Sequence, residues 1–232
     1  MSDETTLTTT TTHSIPAYLK PHAAVGTEHL TQDDVQMPRL VLAQAMSDQV
    51  NASHAESHIE HLQVGDFFNS VSGEIYGREL TFCILVSYPP RAIEFAPMEQ
   101  GGGVVDRDVP LTDPRLQFGA NGEAPKATKF YDYILMLNPE EGEELIAMSL
   151  ARSAIKAAKS LNGLVRMRGT AIWSGIYTVI SVSKTSQQGS YMSWKFRNAG
   201  FIPEALVERF KTLHGGLKAS ALDTSAGEDV PF

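Results

Sequence analysis

Leu150-Ala-Arg-Ser-Ala-Ile-Lys-Ala-Ala-Lys-Ser-Leu161, entered through Ser149 and left through Asn162-Gly163, has apolar residues that recur with a helical period. Ser149 is a good helix N-cap and Asn162-Gly163 a good stop. Leu150, Ala154, Ile155, Ala158 and Leu161 form one face, while Arg152, Lys156 and Lys159, at i, i+4 and i+7, form a cationic stripe. On both sides of this helix the apolar period falls to two. Upstream, Pro38 to Gln44, Asp66 to Val71, Leu80 to Val86, Ala92 to Phe95, and a hairpin of Thr128 to Leu137 with Leu145 to Leu150 around Asn138-Pro-Glu-Glu-Gly142 read as strands. Downstream come Val165 to Trp173, Ile176 to Ser183 and Tyr191 to Asn198, then a second helix, Glu204 to His214, started by Pro203 and closed by Gly215-Gly216.

Strands, one helix and more strands predict an α+β, mainly β chain. We expect an OB-fold-like β-barrel with one central helix and a C-terminal helix, between disordered N- and C-terminal tails. Residues 1–36 are Thr-rich and poor in aromatics, too little apolar area to offset the entropy of ordering, so most of that segment is expected to be disordered. Residues 37–215 make a single β-rich, OB-like nucleic-acid-binding domain, and residues 216–232 a flexible acidic tail. Gly101-Gly-Gly103 opens a connection to about Pro125, long enough to be a candidate flap over a binding surface.

Hydrophobic residues make up 42% of the chain and charged residues 20%, which fits a globular interior. Neither a secretory leader nor an apolar run of membrane-spanning length is visible, so we expect a protein of the bacterial host cytoplasm without a membrane partner. The single cysteine, Cys83, sits in an apolar run and reads as a small buried hydrophobe. The formal net charge is −8 but unevenly spread: residues 1–150 carry −14, residues 151–218 carry +9 and the last fourteen −3. A basic segment inside an acidic protein is the footprint of phosphate binding, and the acidic remainder would repel nucleic acid from other faces.

The last strands carry the matching side chains. In Tyr191-Met-Ser-Trp-Lys-Phe-Arg197, alternation turns Met192, Trp194 and Phe196 to the core and Tyr191, Lys195 and Arg197 to the opposite face. In Val165 to Trp173, Arg166 and Arg168 share a face. A groove of Arg152, Lys156, Lys159, Arg166, Arg168, Lys184, Lys195 and Arg197 would follow a phosphate backbone. Tyr191 would stack on bases, with Tyr177, Tyr131 and Tyr133 as second choices and Trp173 at a hairpin tip. His54, His58 and His61 have a spacing that on a helix would align three imidazoles as metal ligands, but the segment has no apolar face and reads as a surface loop. No catalytic or dinucleotide motif is present, so we expect neither enzymatic activity nor a cofactor.

Glu228-Asp-Val-Pro-Phe232 closes the chain with two carboxylates, a proline and a terminal ring. This tip resembles that of bacterial single-stranded DNA-binding proteins, in which acidic residues precede a terminal Ile-Pro-Phe; here Val230 stands in the Ile position. Pro38-Arg-Leu-Val-Leu-Ala-Gln44, Gly65-Asp-Phe-Phe-Asn69, Lys156-Ala-Ala-Lys-Ser-Leu-Asn162 and Met167-Arg-Gly169 resemble a family of phage and prophage proteins. Together the resemblances imply a phage-type single-stranded DNA-binding protein of DNA replication, recombination and repair. Glu228, Asp229, Val230, Pro231 and Phe232 would recruit replication and recombination proteins and compete with DNA for the groove. A homo-oligomer is compatible with this reading. The alternatives are a recombination annealing protein and an adaptor of host replication proteins that does not touch DNA.

Overall fold

The computed structural model describes residues 36–224, apart from 98, 100, 101, 121, 141–143, 187 and 188. The elements in chain order are β1 Leu40–Leu42, β2 Phe67–Asn69, β3 Ile75–Gly77, β4 Glu79–Ser87, β5 Arg91–Phe95, β6 Val104–Asp106, β7 Ala127–Leu137, β8 Glu144–Ala151, α1 Ile155–Arg168, β9 Gly175–Ser186, β10 Gly189–Phe201 and α2 Val207–Thr224. β1, β2 and β3 form a small antiparallel sheet. The other seven strands form a large antiparallel one. In β7, Ile134 pairs with Val86 and Ala147, and Phe130 with Arg91 and Ala151. β8 therefore occupies one edge of β7, while β4 and β5 follow each other along the other edge. They are two halves of one bent strand, interrupted at Pro89-Pro90, where no backbone N–H exists to continue the ladder. Beyond β4 lie β9 and then β10, and β6 extends β5.

Both faces of this sheet are covered. On one, Phe82, Ile84, Leu135, Leu137, Tyr177 and Val179 meet Leu40, Leu42 and Phe67 of the small sheet and Ala157, Ala158 and Leu161 of α1. On the other, Cys83, Leu85, Met136 and Ile176 meet Phe210, with Leu206 and Leu213 beside it, on and around α2. Burial on both sides explains why Leu80 to Val86 is a nearly continuous apolar run rather than an alternating one. His214 on α2 donates Nδ1–H to the Leu85 carbonyl at 2.7 Å, which ties the helix to the central strand.

Mainly β with two helices is as the sequence predicts, but among the described residues the strands do not close into a barrel. β1 and its flanks touch both ends of the large sheet instead. Arg39 makes a parallel bridge to Ala147 of β8, and the Gln44 amide donates to the Met192 carbonyl at 3.0 Å and accepts from the Met192 N–H at 2.9 Å. A single side chain thus satisfies backbone groups of β10 that, among the described residues, no strand pairs on that side.

Four local expectations are corrected. β8 runs to Ala151, so Ser149 is a strand residue bonded to Asp132, and the helix begins only at Ile155, after Arg152 has turned the chain at φ +50°. The helix then continues through Asn162-Gly163 to Arg168 and stops at Gly169, φ +63°. Leu164 and Val165 pack on the core, which offsets the roughly 1 kcal/mol that an internal glycine costs a helix. Val165 to Trp173 is consequently not a strand. α2 likewise runs through Gly215-Gly216, with Leu217 packed on the core, and reaches Thr224, beyond the expected boundary at residue 215. The long connection from 101 is also no free flap. Val109 is buried, and Arg115 binds Glu94 at 2.6 Å and Asp106 and Asp113 at 2.9 Å each. Among the described residues no helix is long and apolar enough to cross a membrane. The expected disordered segment and the C-terminal tip, Glu228 to Phe232, lie outside the described residues but for residue 36.

Candidate nucleic-acid interface

α1 and the β9–β10 hairpin bring the basic residues together. Ala154, Ala157, Ala158 and Leu161 bury one side of the helix, which leaves Lys156 and Lys159 exposed on the other. In the hairpin, Tyr191 is opposite Lys184, Ser193 opposite Val182, Lys195 opposite Ile180 and Arg197 opposite Thr178, so these pairs share one face. Met192, Trp194 and Phe196 turn to the core as the alternation predicts. Where α1 passes β10 a cavity of about 310 Å³ opens, lined by Lys156, Ala157 and Ser160 from the helix and by Val182, Lys184, Trp194, Lys195 and Phe196 from the hairpin. Lys156, Lys184 and Lys195, from three elements, therefore line one cavity together with Ala157, Val182, Trp194 and Phe196. Among the described residues none of the three is paired with a carboxylate, and none lines the cavity. On the same hairpin face Ser193 is 2% exposed, and its hydroxyl has no partner among the described residues.

The remaining predicted residues fall into two groups. Arg152 is exposed in the left-handed turn before α1, so it does not extend the helical stripe of Lys156 and Lys159. Arg166 is exposed near the helix end, ten residues and so about 15 Å of helix from Lys156. Tyr191 is half-buried beside Lys184. These residues stay accessible.

Others do not. Arg168 donates Nε–H to Asn198 at 3.2 Å, Nη2 to the Ile176 carbonyl at 3.1 Å and Nη1 to the Gly200 carbonyl, and its guanidinium lies 4.6 Å from both the Tyr177 and Phe201 rings. It is a clamp between α1 and the hairpin, with its donors spent on protein. Tyr177 is 1% exposed beneath it and cannot stack on a base. Burial also pushes its hydroxyl pKa up. Tyr133 is buried and donates to Asn162 at 2.8 Å, while Tyr131 is half-buried with Lys129 over its ring at 5.1 Å. Trp173 packs against the α2 side of the core, in a short turn before β9 rather than at a hairpin tip. Arg197 is exposed but paired with Glu79 at 2.9 Å. Trp194 is the residue the alternation undervalued: it is core-facing, yet half-buried and part of the cavity wall.

The histidine-rich stretch is a run of turns, not a helix, so the spacing of His54, His58 and His61 does not align their rings. His54 faces Asp48 at 3.3 Å and His61 faces Glu60 at 3.5 Å. No group of three metal-ligating side chains is present among the described residues. Cys83 is fully buried with Sγ 2.8 Å from the Trp173 carbonyl, and burial pushes its thiol pKa up to about 12, away from any nucleophilic role.

A family model described as Pam3 phage gp34-like protein matches residues 8–223. No curated protein and no solved structure matches the chain.

Proposed function

This chain belongs to the Pam3 phage gp34-like protein family, and from that membership and the lysine-bordered cavity we propose that it is a phage single-stranded DNA-binding protein. The observation that carries this reading is the meeting of Lys156, Lys184 and Lys195 around one cavity with an aromatic wall, in the segment of the chain that carries +9 of charge. Cationic side chains along a path with aromatic surface between them are what sequence-tolerant single-strand binding requires. Lys159 and Arg166 on the exposed side of α1 would extend the path. Tyr191 would border it beside Lys184. The protein would act by binding rather than turnover, in the host cytoplasm, and the acidic tip from Glu228 to Phe232 would recruit replication proteins.

The test is fluorescence anisotropy with a labelled dT oligonucleotide and a duplex of equal length, over a salt titration, for the full chain and for a chain ending at Gly227. Preferential single-strand binding is expected. With about five phosphates neutralised, log K should fall with log salt at a slope of roughly −3.5. Removal of the tip should tighten binding if tip and DNA compete. Absence of single-strand binding at low salt in both forms would overturn the reading and favour a protein adaptor.

A further inference from the structure

We infer that the cavity between α1 and the β9–β10 hairpin is a pocket for one unpaired nucleobase, with Trp194 as its platform and Lys156, Lys184 and Lys195 holding the flanking phosphates; this rests on the single-strand reading above. The ring of Trp194 is braced by two others. Phe196 stacks on it at 6.3 Å and 24°, and the fully buried Phe67 lies 4.9 Å away. A ring braced this way loses little rotamer freedom when a base settles on it, so most of the stacking energy is retained as affinity. The cavity, about 310 Å³, is at the small end of ligand pockets, which begin at about 300 Å³. It suits a single ring system and not a run of bases. A base in a duplex is paired and stacked on its neighbours and could enter only by flipping out, at a cost of a few kcal/mol. The preference for single strands would therefore reside in this pocket, while the lysines supply affinity that both strand forms share.

Tyr191, the ring that alternation favours, lies on the hairpin face but does not line the cavity. Phe196 lines it but is 7% exposed and serves as the support. Trp194 alone combines an aromatic plane, partial exposure and a position among the three lysines.

The experiment uses the full chain carrying Trp173→Phe, so that Trp194 is the one remaining tryptophan. Three ligands are compared: a dT oligonucleotide, an abasic oligonucleotide of the same length, and a duplex. Adding the dT strand should quench Trp194 fluorescence, and the abasic strand should not. Trp194→Phe in this background keeps a ring in contact with Phe67 and Phe196; it should weaken dT binding ~10-fold, leave abasic and duplex binding unchanged, and leave the salt slope unchanged. Circular dichroism of each variant confirms that the sheet is intact. Equal dT binding by both variants without quenching, together with salt-dependent binding, would overturn the base pocket and leave the single-strand reading standing. No binding of any strand by either variant would overturn that reading itself.

Discussion

Arg168 and Cys83 show how the same residue types take different roles according to their surroundings. Arg168 is one of the two arginines in Arg166-Met167-Arg168, yet Arg166 is exposed while Arg168 is fixed by three carbonyl oxygens, two of the backbone and one of Asn198, and by two rings. Arg168→Ala should cost about 2 kcal/mol in urea unfolding, from lost charge-assisted hydrogen bonds and cation–π contacts. It should leave the salt slope of any DNA binding unchanged, whereas a phosphate-binding arginine would reduce that slope by about 0.7. Gly175 belongs to the same clamp: a Cβ there would lie 2.7 Å from Arg168 Nη1 and from the Tyr177 hydroxyl. Cys83 is buried as its apolar flanks predict. Because burial disfavours the thiolate, its reactivity toward maleimide should stay negligible from pH 7 to pH 9, where an ordinary exposed thiol becomes reactive, and should appear only on unfolding.

At the level of elements, α1, the hairpin and the Arg115 loop are each held by contacts between segments distant in sequence. Arg115 gathers Glu94 of β5, Asp106 of β6 and Asp113, and its hydrogen bonds hold the Asp113 carboxyl below the usual carboxylate range. A backbone N–H from Asp108, together with Arg115, does the same for Asp106. Since both folded-state values are depressed, their stabilising contribution is present at neutral pH, begins to fade as pH falls below the ordinary carboxylate value, and is lost through the lower folded values. Limited proteolysis should accordingly cut between residues 104 and 123 faster at acid pH, and Arg115→Met should produce the same cleavage at neutral pH. Gln44 performs an analogous task for β10 through its two bonds to Met192. Gln44→Ala should cost about 1–2 kcal/mol in thermal or urea unfolding, because both backbone groups lose their partner. The helix boundaries were not legible locally. Val165 to Trp173 alternates as a strand would, but the core contacts of Leu164 and Val165 keep its first residues in α1, which stops at Gly169.

Across the whole molecule, the asymmetry of charge along the chain becomes an asymmetry in space where α1 meets the hairpin. Replacing Lys156, Lys184 and Lys195 together with alanine should reduce the magnitude of the salt slope by about 2, without a large change in unfolding temperature, since none of the three side chains is buried. The amino-acid sequence by itself determined the mainly β, two-helix composition, the separation of acidic and basic segments and the face each residue of β10 presents. These follow from local rules: alternation in a strand, a repeat in a helix and simple summation of charge. Only the tertiary structure decided which cations stay accessible, that Trp194 borders a cavity while Tyr177 is buried, and that the described strands stay in an open sheet, with Gln44 bonding β10. Those outcomes depend on which distant segments supply hydrogen-bond acceptors and apolar cover, as Asn198, Gly200 and Phe201 do for Arg168, and no local pattern encodes that pairing.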